Sequence, residues 1–181
     1  MNTPNPQTGN ALMDEVQQLL DYFGPCSVEQ MLEKVSNLRG EKIVVLEAEL
    51  PEAAPTGSWY QQRVPDESAV GGRVVNYIVL AAGLGPLLRE TTLRHELVHL
   101  ACGDRPVQPD RADQPEQDPV IELVRARMSE IGRVKLVRCR STCKHPAEAE
   151  RELRSELYAY LAAYPGTADF YKIARSLDPH R

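Results

Sequence analysis

The chain has 181 residues, 42% hydrophobic and 26% charged, a composition typical of one globular domain. Its formal charge of −5 argues weakly against a dedicated nucleic-acid binder, because such proteins usually carry basic surfaces. No apolar run approaches the roughly 20 residues that span a bilayer, and residues 1–10 lack the features of a signal peptide. Four cysteines are too few for a disulfide scaffold. We therefore expect a cytoplasmic protein that contacts neither nucleic acid nor membrane directly.

The first half of the chain predicts two helices followed by a small sheet. Residues 1–11 are polar and rich in proline and asparagine, which indicates a flexible tail. Apolar residues at helical spacing predict a helix over 12–23, and Ser27 has the position of an N-cap for a second helix that ends before Gly40. Because loops rather than crossover helices separate the strands that follow, we expect an antiparallel sheet. The predicted strands are Lys42–Leu46, Ser58–Val64 and Arg73–Leu80.

The second half of the chain predicts mainly helices. Thr91 or Thr92 can cap a helix that runs to Gly103, and Pro146 suits the first turn of a long helix ending at Tyr164. The order of elements indicates an α+β fold in one domain over residues 12–178. Two further helices are predicted at 120–131 and 168–177, and the segment 134–139 is compatible with a strand or with irregular structure.

The string His95-Glu96-Leu97-Val98-His99 carries the main chemical signal. Two histidines four positions apart on a helix lie on one face, so both imidazoles can bind a single ion. Glu96, beside the first histidine, can then accept a proton from a water molecule that the ion activates. The pattern is short, but its place in an amphipathic helix after a strand favours a metallopeptidase motif over a chance occurrence. We therefore expect one Zn²⁺ per chain, with Glu96 as the catalytic residue.

The third zinc ligand remains open on the residues alone. Catalytic zinc sites use three protein ligands and leave one position for water. In the late helix Glu148, Glu152 and Glu156 are spaced by four and share a face, although most such acids are simply solvated. Cys102, about one turn beyond the second histidine, and His145 are alternatives.

Three stretches of the chain resemble the ImmA/IrrE metallo-endopeptidases. The first is the strand ending at Leu80 together with the string RHELVHLACGD, since the family shows an HExxH helix followed by an apolar turn, Gly and a polar residue, here Asp104. The second is the late helix ELRSELYAYLAAYP, which resembles the family's Glu-x-x-Ala-x-x-Phe-Ala-x-x-Leu-Leu-x-Pro pattern. The third is the pair of N-terminal helices with the strand KIVVL. The resemblance covers residues 12–165.

In the late helix the resemblance is position by position. Glu152 falls on the family's metal-ligand glutamate, and this match selects it over the neighbouring acids. Ala162 and Ala163 stand where the family favours leucines, and the segment between the histidine motif and Glu152 is longer than usual. The other matched positions are Ser155 on Ala, Tyr158 on Phe, Ala159 on Ala and Pro165 on Pro.

The resemblance implies a gluzincin-like, zincin-type fold and a narrow, regulated proteolysis. Zinc would be held by His95, His99 and Glu152, and the substrate would be a protein such as a helix-turn-helix repressor or antitoxin encoded nearby. Tyr60 and Tyr158 are candidates for assisting the oxyanion. The alternative function is a non-catalytic, metal-stabilised module or toxin component that docks a transcriptional regulator.

A second group of potential ligands is the C-x3-C-x-H sequence of Cys139, Cys143 and His145. It fits part of a second metal site or a redox pair, but a fourth ligand is not evident and the common C-x2-C spacing is absent. The segment 125–144 that contains it is rich in lysine and arginine, which indicates a solvated face or a docking patch for an acidic partner.

Overall fold

The computed structural model describes residues 6–50, 55–65, 72–104, 137–138 and 146–164. These residues form four helices and a small sheet, so the predicted α+β class is confirmed. In chain order the elements are α1 (Pro6–Phe23), α2 (Val28–Arg39), β1 (Lys42–Ala48), β2 (Gly57–Val64), β3 (Arg73–Ala81), α3 (Pro86–Ala101), β4 (Val137–Arg138) and α4 (Pro146–Ala163).

The two N-terminal helices form for the reasons that the sequence predicts. Helix α1 begins at Pro6 rather than Leu12, so residues 6–11 of the segment predicted to be a flexible tail are helical. At the start of α2, Ser27 accepts a hydrogen bond from the Gln30 backbone while the Gln30 side chain accepts one from the Ser27 backbone, which is a capping box. Gly40 ends the helix in the left-handed region, at φ 63°, which glycine adopts without steric cost.

The sheet is mixed, so the prediction of an antiparallel sheet is wrong for one of its strand pairs. The strand order is β1-β3-β2-β4. Strand β2 pairs antiparallel with β3 and with β4, whereas β1 pairs parallel with β3. In the sheet, β3 lies between β1 and β2. It runs antiparallel to β2 and therefore parallel to β1. Strand β2 therefore serves as the crossover that a parallel pair requires, and no helix is needed there.

The central strand β3 divides the apolar core into two parts, because its side chains alternate between the two faces of the sheet. Ile78 and Leu80 are buried against the helices, whereas Tyr77 and Val79 are buried on the opposite face. Trp59 of β2 belongs to the helix side, where its indole Nε1–H donates a hydrogen bond to Asn76 at 3.0 Å. The sheet thus presents a largely apolar face to the helices.

Helix α3 lies on this face and packs against α2, α4 and the sheet. It begins at Pro86 after the N-cap Gly85, so the prediction that Thr91 or Thr92 caps it is wrong. The Thr91 hydroxyl instead donates to the carbonyls of Leu87 and Leu88 one turn earlier within the helix, at 3.1 Å each. The C-terminal half of α3 is almost fully buried, and Gly103 follows it with φ 66°.

Helix α4 packs against α3 and α1 and has nearly the predicted bounds. For the segment 134–139, where the sequence leaves strand and irregular structure open, the structure describes a two-residue strand, β4. Three further predictions lie outside the described residues. They concern the helices 120–131 and 168–177, the group of Cys139, Cys143 and His145, and most of the basic segment. Among the helices that the structure describes, none combines the length and the apolar character needed to cross a membrane.

Candidate metal centre

The two histidines of the HExxH string lie one turn apart on the same face of α3. Their Nε2 atoms are 3.1 Å apart and their ring centroids 4.7 Å apart. Both are buried, with 4% of His95 and 8% of His99 exposed. Two imidazole nitrogens that face each other at this distance in a buried position can share a proton or a cation.

The facing helix α4 adds a carboxylate at the same point. Glu152 Oε2 lies 3.4 Å from His95 Nε2, and Oε1 lies 3.5 Å from His99 Nε2. One potential ligand atom from each of the three residues falls within 4.8 Å of the others, so the group can hold a metal ion. The structure thus brings together the two histidines of the motif and the glutamate that the family resemblance selects.

The ring orientation of His99 is fixed by a carboxylate on its other side. His99 Nδ1 lies 2.8 Å from Oδ2 of Asp104 and can donate its proton to this oxygen, so Nε2 is the ring nitrogen that faces Glu152 and is available to an ion once it is deprotonated. Asp104 is held in turn by Arg154 of α4, whose Nη2 donates to the same oxygen at 2.7 Å. Arg154 also donates from Nη1 to Glu15 of α1 at 3.3 Å. A carboxylate that holds a histidine in this way is typical of metal-ligating histidines.

His95 has a weaker counterpart of this arrangement. Its Nδ1 makes no hydrogen bond within the described part of the chain, and Glu156 Oε1 lies 3.5 Å from it. The Glu156 side chain is 63% exposed. Glu156 is therefore placed to orient His95 from the surface, on the side of the ring opposite Glu152.

Glu96 is buried beside this group, with 4% of the residue exposed. A side chain at Gly57, the first residue of β2, would lie 3.3 Å from Glu96 Oε1 and would overlap the Thr92 methyl group. Glycine at this position therefore lets β2 approach α3 closely at the level of Glu96. The carboxylate is near enough to the ligand group to act electrostatically on His99.

The electrostatics of the metal-free chain reflect this clustering. Burial alone would lower the pKa of His99, but the hydrogen bonds to Asp104 and Glu152 and the charges of Glu96 and Glu152 outweigh it and raise the pKa to about 9. Burial raises the pKa of Glu152, but its hydrogen bonds to His95 and His99 hold it well below the ordinary value. Burial likewise opposes ionisation of Asp104, yet His99 and Arg154 lower its pKa. Two carboxylates thus stay ionised around a histidine that retains its proton.

The other sequence-derived ligand candidates lie elsewhere. Within the described residues, neither Glu148 nor Cys102 belongs to the group of potential ligands, and Cys102 is exposed at the end of α3. His145 lies outside the described residues. The two tyrosines considered for the oxyanion are both buried in apolar clusters: the Tyr158 hydroxyl contacts the Met31 sulfur at 3.7 Å, and Tyr60 packs on the far face of the sheet. Neither lines the cleft described next.

A cleft of about 350 Å³ opens beside Glu96 and His95. Large apolar side chains that the sequence analysis did not single out form part of its wall: Leu87, Leu88, Tyr160 and Tyr164. The spacing of four that relates the late glutamates continues from Glu156 to Tyr160 and Tyr164. This continuation is a sequence signal that indicates one helix face and would have pointed to the tyrosines.

Fold and site together define an α+β protein in which two buried histidines and a partly buried glutamate meet at the edge of a cleft. Comparison of the chain with profiles of known protein families, with curated proteins and with solved structures finds no match. The resemblance to the ImmA/IrrE metallopeptidases therefore remains a prediction from the motifs.

Proposed function

We propose that the chain is a zinc-dependent endopeptidase. The observation that carries the proposal is the convergence of His95, His99 and Glu152 within 4.8 Å, with Glu96 buried at the next position of the same helix. Two imidazoles and one carboxylate form a three-ligand set of the kind that catalytic zinc sites use, with one position left for water. The Asp104 contact to His99 fits the same interpretation, since it prepares the lone pair of Nε2 for an ion.

His95, His99 and Glu152 would hold the zinc ion, and Glu96 would perform the proton transfers. Bound zinc supplies Lewis acidity, which polarises a peptide carbonyl and makes water acidic enough to react at neutral pH. The Glu96 carboxylate accepts the proton that the attacking water loses and then donates it to the nitrogen of the departing amine. Both proton transfers require the carboxylate to lie close to the reacting peptide. Glu96 meets this requirement, since it lines the cleft in which the peptide would bind.

The substrate class follows from the family resemblance. Members of the ImmA/IrrE family commonly cut a helix-turn-helix repressor or act in toxin–antitoxin circuits. We extend this to the present chain as a regulated cleavage of one partner protein, such as a repressor or antitoxin encoded nearby.

Elemental analysis and a cleavage assay test the proposal together. We expect about one zinc per chain in the wild type, a sharp loss of zinc in His99→Ala and Glu152→Ala, and near-normal zinc in the matched control Glu148→Ala, because Glu148 is on the same helix but outside the group of potential ligands. Glu96→Gln should keep its zinc and lose cleavage of the candidate regulator. A regulator that is bound but never cut by the wild type would favour the docking module, and wild-type protein that takes up no zinc would contradict the proposal altogether.

A further inference from the structure

Exposed apolar side chains in the described part of the chain are concentrated at one place. Seven large hydrophobic residues are exposed among the described residues. Four of them line the cleft beside Glu96: Leu87, Leu88, Tyr160 and Tyr164. Their exposed fractions run from 38% to 53%. A scattered exposed leucine needs no explanation, but a cluster of apolar side chains around a cleft is typical of a binding surface.

The cluster comes from two helices that also build the metal centre. Leu87 and Leu88 lie in the first turn of α3, two turns ahead of His95, and Tyr160 follows Glu156 by one turn of α4. The rings of Tyr160 and Tyr164 are in contact, with centroids 5.0 Å apart. Because His95 and Glu96 also line the cleft, a group held there lies next to the proposed reaction site rather than at a remote one.

The size and charge of the cleft restrict what it can hold. A volume of about 350 Å³ is at the low end for ligand pockets, which suits one large side chain with its adjoining backbone. The charged side chains that line it are acidic, Glu96 and Glu156, and no lysine or arginine lines it among the described residues. Acidic substrate side chains are therefore disfavoured by charge, and small ones leave the tyrosine and leucine surfaces unburied.

We propose that this cleft is a specificity site that binds a large apolar side chain, aromatic or leucine-like, next to the scissile bond of the polypeptide substrate. The inference rests on the proposed peptidase function, since it assigns the substrate residue that the same centre would select. Burying such a side chain contributes enough free energy for an affinity gain of about tenfold or more.

Hydroxamates test the cleft separately from the metal centre. Acetohydroxamate binds zinc without a large side chain, 3-phenylpropanohydroxamate adds an aromatic group, and succinic monohydroxamate adds an acidic one. On the zinc-loaded full chain, we expect the phenyl compound to bind about tenfold tighter than acetohydroxamate, or more, and the acidic compound to bind no tighter. Calorimetry or competition with a chromogenic chelator gives the three dissociation constants.

Matched surface variants test whether the cleft causes the tighter binding of the phenyl compound. Tyr160→Ser and Leu88→Ser should bring the phenyl compound close to acetohydroxamate while leaving acetohydroxamate binding unchanged, which also shows that the variants are folded. Tyr22→Ser and Leu38→Ser are the controls, because these side chains are 57% and 52% exposed but do not line the cleft. A phenyl compound that binds no tighter than acetohydroxamate, or control variants that lose as much as Tyr160→Ser, overturns the specificity site alone. Failure of all three hydroxamates to bind overturns the metal chemistry and the specificity site with it.

Discussion

His99 Nδ1 lies 2.8 Å from Oδ2 of Asp104, a residue that follows the end of α3. The contact places a histidine between two carboxylates, with Asp104 on one ring nitrogen and Glu152 at 3.5 Å from the other. The turn through Gly103 brings Asp104 back beside the histidine, and the backbone N–H of Asp104 also donates to the His99 carbonyl at 3.0 Å. The turn that ends α3 thus contributes Asp104 to the candidate metal centre.

Removing the Asp104 carboxylate should weaken metal binding. We expect Asp104→Ala to lower zinc affinity by roughly 10- to 100-fold, because His99 loses the partner that fixes its ring and tautomer. Competition with a chelator of known affinity measures the change. Asp21→Ala is the control, since Asp21 is an exposed acid on α1 that accepts a hydrogen bond from Gln17. Equal zinc affinity in both variants would show that Asp104 does not orient the ligand.

Two neighbouring arginines of α4 should differ in importance. Arg154 donates to Asp104 at 2.7 Å and is 13% exposed, whereas Arg151 lies 3.9 Å from Asp104 and is 43% exposed. An exposed ion pair contributes little, so Arg151→Gln should leave zinc affinity within about twofold, while Arg154→Gln lowers it several-fold. In Asp104→Ala the Arg154→Gln change should have almost no further effect, since both act through His99. Additive losses in the double variant would contradict this coupling.

The stability of the metal-free chain should fall at alkaline pH. The pKa of His99 is raised from 6.5 to about 9 by folding, so its protonation stabilises the folded chain fully below pH 6.5. That contribution is lost as the pH rises through about 9. Urea unfolding in the presence of a chelator measures the change in the free energy of unfolding. His99→Gln should reduce this loss across the same interval, and an unchanged slope in that variant would assign the loss to other groups.

Zinc binding should have the opposite pH dependence. The ion requires a neutral imidazole, so it must displace the proton that His99 retains below about pH 9. Apparent zinc affinity should therefore rise with pH up to about 9 and level off above it. Calorimetry in two buffers of different ionisation enthalpy should show about one proton released per zinc at neutral pH. Binding without proton release would mean that His99 is already neutral in the metal-free chain.

Adding a methyl group at Gly57 should disturb the position of Glu96. The new Cβ would overlap the Thr92 methyl group and lie 3.3 Å from Glu96 Oε1, so Gly57→Ala should cost about 1–3 kcal/mol of stability and lower cleavage. Thermal unfolding and the cleavage assay measure the two effects. Thr92→Ser is the matched partner: it removes the methyl group but keeps the hydroxyl that lies 3.3 Å from Thr56, so the double variant should recover much of both losses. No recovery would mean that the contact with Thr92 is not the cause.

Local sequence signals predicted the elements well but not their arrangement. Ser27 and Gly40 mark the ends of α2 because caps act within one turn, and the β-branched run of β3 identifies a buried strand. The parallel pairing of β1 with β3 depends on which strand fills the centre of the sheet, and no local pattern reports that. The early start of α3 at Pro86 was missed because Thr91 and Thr92 resemble caps even inside a helix.

The candidate site was predictable where spacing alone fixes geometry. His95 and His99 must share a helix face at four residues apart, whereas Glu152 is distant in sequence and was selected by resemblance rather than by spacing. The roles of Asp104 and Arg154 were not predicted. Their contact joins the end of one helix to the face of another, so it exists only once α3 and α4 have packed.

Glu152, Glu156 and Tyr160 of α4 and Tyr164, which directly follows the helix, stand at intervals of four, so the candidate ligand lies at one level and the cleft wall one to three turns further on. On the proposed function, a mutation at Tyr160 or Tyr164 should alter substrate preference without changing the candidate ligand Glu152. A single residue inserted between Glu152 and Tyr160 would rotate the rest of the helix by about 100°. The two tyrosines would then no longer share a helix face with Glu152. Relatives that evolve new targets should therefore vary in the identity of the two tyrosines while keeping the length of this helix constant.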